Sequence, residues 1–155
     1  MRRGAGSGAR GVGWVVLQSA LMVLIVCSWR VPAPDPSTLR RTIGLVLAAP
    51  GLVLFLWAYR TLGRSFTPFP VPRPRGVLVE GGPFRLVRHP VYGALLLLFA
   101  GLSTAFAPYG LIATAALAVV WWRKSLFEER VLAGRFPGYA AYRERVRRRF
   151  LPWVV

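Results

Sequence analysis

Polar and apolar positions along this chain fall into long blocks. Between Arg10 and Arg30 lie nineteen residues without a charge, and Thr42 to Tyr59 is a second uncharged run of eighteen. Each approaches the roughly 20 residues a helix needs to cross a hydrocarbon core. A third stretch, Val91 to Trp122, has thirty-two residues, too many for one straight span. Pro108 interrupts it. Proline deletes one helical hydrogen bond and clashes with the preceding turn, so Ala107-Pro108-Tyr109-Gly110 reads as a tight turn. The pattern predicts an all-α polytopic membrane protein, one domain over residues 1–155, with spans at about 12–29, 42–59, 91–107 and 109–127. The last two form a helical hairpin. Arg123 and Lys124 are expected to snorkel to the interface. Trp14, Trp29, Trp57, Trp121 and Trp122 sit near span ends and read as an interfacial belt.

Two segments fall outside the spans. The loop 60–90 opens with Thr67-Pro68-Phe69-Pro70-Val71-Pro72-Arg73-Pro74, a composition that favours extended backbone. It continues through a short apolar run to the glycine turn at Gly81-Gly82-Pro83. In the tail 128–155, Tyr139, Tyr142 and Val146 recur at helical spacing among arginines, which predicts an amphipathic helix on the membrane surface. Arg147, Arg148 and Arg149 are read as an anchor for anionic lipid.

Composition agrees: 55% of residues are hydrophobic, 17% are charged, and the mean hydropathy is +0.48. A soluble domain of 155 residues has nowhere to hide that much apolar surface. The 21 Lys+Arg against 5 Asp+Glu would suggest nucleic acid if they formed one basic face. They flank the apolar runs instead, which excludes nucleic acid and points to topology and membrane lipids as partners. Eighteen of the 21 fall in the N-terminal tail, the long loop and the C-terminal tail, and three in the first loop. The positive-inside rule therefore puts both termini in the cytosol. Arg2 and Arg3 precede an apolar run too long for a secretory leader, and no small-residue cleavage site follows, so it reads as an uncleaved first span. The single cysteine, Cys27, permits no internal disulfide, and no metal-ligand cluster is present.

Two places carry candidate chemistry. Arg88-His89-Pro90 opens the third span with the chain's single histidine. As simple structure this is a basic flank and a proline at a helix's first turn. As a site, it sets a histidine at a helix N-terminus, where free N–H groups and the dipole receive anionic groups. Glu128-Glu129 is either a solvated pair among arginines or a carboxylate pair for the hydroxyls or ammonium of a ligand. Tyr139 and Tyr142 read first as surface anchors and second as ligand contacts.

Read in order, Leu62-Gly63, Gly82-Pro83-Phe84-Arg85-Leu86-Val87-Arg88-His89-Pro90-Val91-Tyr92-Gly93, Glu128-Glu129-Arg130-Val131-Leu132, Phe136, Tyr139, Tyr142 and Leu151-Pro152 resemble the isoprenylcysteine carboxyl methyltransferase and phospholipid methyltransferase superfamily. The resemblance spans about Tyr59 to Pro152, roughly 60% of the chain, and leaves the first two spans generic. It implies S-adenosylmethionine as methyl donor, a cytosolic pocket between hairpin and tail, and a place in a membrane such as the bacterial inner membrane. It also implies a donor site of Arg88, His89, Pro90, Tyr92, Gly93, Glu128 and Glu129. His89, Arg130 and Arg143 would act on donor or acceptor, and Tyr139 and Tyr142 would touch a lipid-like acceptor. A carboxylate acceptor needs no general base, whereas an amine must first lose a proton, for which His89 is the candidate.

This chain reads Phe136-Pro137-Gly138 where the family carries glycine directly after phenylalanine. Four spans also leave out elements that shape a prenyl tunnel in larger relatives. The acceptor is thus the least transferable property. The alternatives are an NADPH-dependent sterol-type reductase with a similar motif and a non-catalytic scaffold. The reductases carry Asn before the tyrosine and an acidic residue after the glycine, where this chain has Val91 and Ala94.

Overall fold

The computed structural model describes residues 5–31 and 37–151, with side chains from Gly11 onward. Arg2, Arg3 and Pro152 lie outside the described residues. The chain forms α1 (Ala5–Ser28), α2 (Thr38–Leu62), α3 (Pro90–Phe106), α4 (Gly110–Arg135) and α5 (Tyr139–Arg145), with short 3-10 turns at Gly63–Ser65 and Gly82–Arg85. Among the described residues, α1, α2 and α4 are long and apolar enough to cross a membrane. The protein is an integral membrane protein. α3 has 17 residues, about 26 Å at the helical rise, just short of a hydrocarbon core.

Each boundary has a local cause. The Ser37 side chain accepts from Arg40 N at the start of α2, supplying an acceptor that a helix start lacks. Pro50 lies inside α2; neighbouring helices make such prolines tolerable within membranes. The hairpin turns at Ala107–Tyr109, as the sequence predicts, with Gly110 N bonding Ala107 O at 2.9 Å. At Gly82 the backbone adopts φ +57, which glycine takes without steric cost.

α2 and α3 pack through small residues. A Cβ on Gly44 would lie 2.5 Å from Gly101 O, one on Gly51 2.6 Å from Leu98 N, and one on Gly101 2.5 Å from Ala48 N. Their backbones therefore touch, the close approach by which membrane helices gain packing energy without a hydrophobic driving force. α4 joins α3 through the hairpin and packs along α1 around Ile25, Phe99, Leu117 and Trp121.

The structure corrects several expectations. α4 runs on to Arg135, because nothing breaks its hydrogen-bond ladder before Pro137, so Glu128 and Glu129 stand on this helix and not in a tail. The tail helix shrinks to the seven residues of α5. Its Tyr139 and Tyr142 are buried against Leu78, Leu132 and Phe136 and do not lie on the membrane surface. Trp121, buried at 1% exposure, belongs to the core and not to a belt, and Lys124, also 1% exposed, does not snorkel. Arg149 pairs internally with Glu129, which removes it from the lipid anchor.

Candidate functional site

On α4, Trp121, Lys124, Glu128 and Leu132 recur at helical spacing and share one face. The hairpin lays that face against the first turn of α3. Carboxylates and histidine, 39 or more positions apart in the chain, thereby meet at one end of the bundle.

Arg88, 8% exposed, holds this junction together. Its Nε donates to Glu129 Oε1 at 2.9 Å, and its Nη1 to the carbonyls of Val146 at 2.7 Å and Arg147 at 2.6 Å. The segment after α5 returns over α3: Arg88 N donates to Arg148 O at 2.9 Å and His89 N to Arg149 O at 2.7 Å. From that segment Arg149 Nε reaches Glu129 Oε1 at 3.0 Å, while its guanidinium lies 4.8 Å from the Trp122 ring centroid. Glu129, 5% exposed, is thus neutralised by two guanidinium groups. Gly93 lets the segment approach, since a Cβ there would collide with the Phe150 carbonyl.

His89 sits between the two carboxylates, with Nδ1 3.5 Å from Glu128 Oε2 and Nε2 3.4 Å from Glu129 Oε1. Neither distance carries hydrogen-bond geometry, and Nε2 is buried without a hydrogen-bond partner. The imidazole stacks on Tyr92 at 5.5 Å between centroids, and Tyr92 stacks on Trp121 at 5.0 Å. Tyr92 OH donates to Glu128 Oε1 at 2.5 Å, which leaves Glu128 Oε2 open to a further donor.

These groups form the polar end of a cleft of about 370 Å³, within the size range of small-molecule sites. Arg88, His89, Tyr92, Lys124 and Glu128 line that end. The remainder is mostly apolar, from Met22 of α1, Phe55 and Leu62 of α2, and the proline-rich segment Phe66–Pro70. That segment is pinned by Lys124 Nζ on Pro68 O at 2.7 Å, and the chain just beyond it by Arg135 Nη2 on Pro74 O at 2.5 Å.

Of the residues the sequence singles out, Arg88, His89, Tyr92 and Glu128 meet in the cleft, and Glu129 stands directly behind them. Pro90 and Gly93 are buried at the start of α3 and shape it without lining the cleft. Arg130 and Arg143 are exposed and reach neither cleft nor carboxylates. Arg130 is one position, about 100° of helix, past Glu129, and its Nε bonds Leu126 O. Tyr142 lines the cleft; Tyr139 does not. Sequence reasoning missed Gln18, Lys124 and Arg149. The available signals were a lone amide in an uncharged run and a lysine four positions before Glu128 on the same helix face.

Tyr142 OH donates to Phe84 O at 2.8 Å and fastens α5 to the turn before α3. Burial pushes its phenol, like that of Tyr139, well above the ordinary value, with Arg88 pulling the other way. A raised value means that this stability is complete below the unfolded tyrosine's pKa of about 10 and is lost as pH climbs through the folded one. Tyr142→Phe is expected to cost about 1 kcal/mol at neutral pH and to flatten the alkaline decline. Thermal unfolding in detergent across pH 7–11 checks both, and an unchanged decline would assign it to other groups.

A sequence model described as "Phospholipid methyltransferase" matches residues 39–138. The match takes in α2, which the motif resemblance leaves generic, and ends before Tyr139. No curated protein sequence matches the chain significantly.

Proposed function

The chain belongs to the phospholipid methyltransferase family, and on that basis we propose that it transfers a methyl group from S-adenosylmethionine to a lipid acceptor at the cytosolic face of its membrane. The family supports methyl transfer over the reductase and scaffold readings. The observation that carries the donor assignment is the unfilled carboxylate oxygen of Glu128 beside the aromatic wall of the cleft. Glu128 Oε2 takes no hydrogen bond among the described residues, its Oε1 holding Tyr92. A cleft of about 370 Å³ with an aromatic wall and a carboxylate fits a compact cation bearing hydroxyls and an ammonium group.

When bound, S-adenosylmethionine supplies a methyl group on a sulfonium, already activated for displacement. The acceptor's lone pair forms the new bond to carbon while the carbon–sulfur pair returns to sulfur, giving S-adenosylhomocysteine. Little acid–base work falls to the protein, which chiefly aligns two reactants and excludes water. Glu128 receives donor N–H or O–H groups, Tyr92 holds Glu128 in place and offers a ring face to positive charge, and the segment Phe66–Pro70 shuts out solvent. For an amine acceptor, His89 takes the proton that the amine must lose. Arg88 and Glu129 position these groups and do not touch the reactants.

Calorimetry on the folded protein in detergent is expected to show binding of S-adenosylmethionine and S-adenosylhomocysteine. Glu128→Gln should weaken both by about tenfold or more, as for loss of a charged hydrogen-bond acceptor. A folded protein that binds neither compound overturns the assignment.

A further inference from the structure

Lys124 is a charged side chain inside a membrane-embedded helix, a placement costly enough to mark function. Its ammonium points inward, where Nζ donates to Gln18 Oε1 and to Pro68 O, each at 2.7 Å. Of its three N–H groups, the third has Glu128 Oε1 at 3.7 Å, beyond hydrogen-bond reach, and that oxygen already accepts from Tyr92. Gln18, in α1, also accepts from Trp121 Nε1 at 3.1 Å. Its carbonyl oxygen is therefore filled, and its NH₂ remains a donor on the cleft wall. Arg88 is less free, because Glu129 and two tail carbonyls hold its Nε and Nη1. An ammonium N–H and an amide N–H thus stand at the foot of a cleft whose next surfaces, Met22, Phe55, Leu62 and Phe66, are apolar.

We propose that Lys124, seated on Gln18, receives an oxyanion of the methyl acceptor, a phosphate or carboxylate carried near the methylated atom, while the acceptor's apolar chain lies along α1 and α2. Lys124 is then a specificity-determining residue: it admits anionic amphiphiles and discriminates against uncharged ones. Two neutral acceptors fix the ammonium, and the Glu128 carboxylate, 3.7 Å away, shares its charge without taking its third N–H, which is the one a ligand oxyanion would meet. The inference rests on the methyltransferase reading for the word acceptor. The binding it describes does not depend on turnover.

The test compares lipid binding to the full chain in neutral detergent by native mass spectrometry, with two probe pairs: dioleoylphosphatidic acid against dioleoylglycerol, and oleate against oleyl alcohol. Wild type is expected to hold the anionic member about tenfold more tightly, the scale of one charged hydrogen bond. Lys124→Met should abolish the preference and Lys124→Arg should retain it. S-adenosylhomocysteine affinity, measured on the same samples, shows how far each change reaches the donor. If turnover is detected, Lys124→Met should raise the acceptor KM more than it lowers kcat. An anionic preference that survives Lys124→Met overturns the proposal, and one that survives beside a fall in S-adenosylhomocysteine affinity gives Lys124 to the donor. Should Lys124→Met fail to fold, Gln18→Leu decides, with an unchanged preference counting against the proposal. Absence of donor binding beside an intact, Lys124-dependent lipid preference would sink the methyltransferase reading and leave the oxyanion site standing.

Discussion

Glu129→Ala is expected to cost the protein its fold, beyond any effect on ligand affinity. The carboxylate is 5% exposed and faces Arg88 Nε at 2.9 Å and Arg149 Nε at 3.0 Å. Removing it leaves two guanidinium groups near the membrane interface without a counter-charge. Breaking a buried pair from one side costs about 3–5 kcal/mol, a large part of the 5–15 kcal/mol that typically separates folded from unfolded protein. Arg88 also clamps the carbonyls of Val146 and Arg147, so its displacement releases the returning segment. Thermal unfolding in detergent should show a large drop in Tm or no recoverable folded protein. Glu129→Gln, which keeps an acceptor oxygen, should lose less. Glu128→Gln should leave Tm nearly in place while weakening donor binding, because Glu128 has an open oxygen and one hydrogen-bond partner, Tyr92, where Glu129 has two guanidinium groups. A Glu129→Ala protein with unchanged Tm and weakened donor binding would make Glu129 a ligand residue instead.

The second large effect is expected at Gly101. A Cβ there lies 2.5 Å from Ala48 N and 2.6 Å from Gly44 O, both backbone atoms that cannot rotate aside. Even alanine forces α2 and α3 apart, and Gly101→Leu should separate them along the seam. Overpacking in ordinary cores costs about 1–3 kcal/mol, and a backbone-to-backbone clash belongs at or above the upper end. Gly134 provides the contrast, since nothing lies within 4 Å of its Cβ position. Gly134→Ala should stabilise by up to about 1 kcal/mol through helix propensity. Paired melting curves of the two variants test the seam, and a Gly101→Leu protein as stable as wild type would show that the helices do not meet as described.

The spans were legible because each apolar run is long and Pro108 divides the hairpin where a turn must fall. What the apolar runs conceal is helix phase. Whether Lys124 points to lipid or inward depends on how α4 is rotated against α1, and its partner Gln18 lies 106 positions away. The extension of α4 to Arg135 was hidden because charge ends a span without ending a helix. The seam of Gly44, Gly51 and Gly101 was hidden because small residues look unremarkable inside apolar runs. Within the candidate site, the motif residues His89, Tyr92 and Glu128 could be named from local order and resemblance. Arg149 could not, since an arginine run at a membrane surface has an ordinary explanation, and pairing with Glu129 requires the chain to double back over α3.

That doubling back sets an order of events in synthesis. Arg88 finds its carbonyl acceptors 58 and 59 positions downstream, after both arms of the hairpin have left the ribosome and entered the membrane. A nascent chain with α1 to α4 inserted has His89, Tyr92 and both carboxylates, yet lacks Arg149 and the carbonyls that hold Arg88. Membrane insertion and completion of the pocket are therefore separate steps. A chain truncated before residue 146 would keep all four long helices and lack a finished pocket.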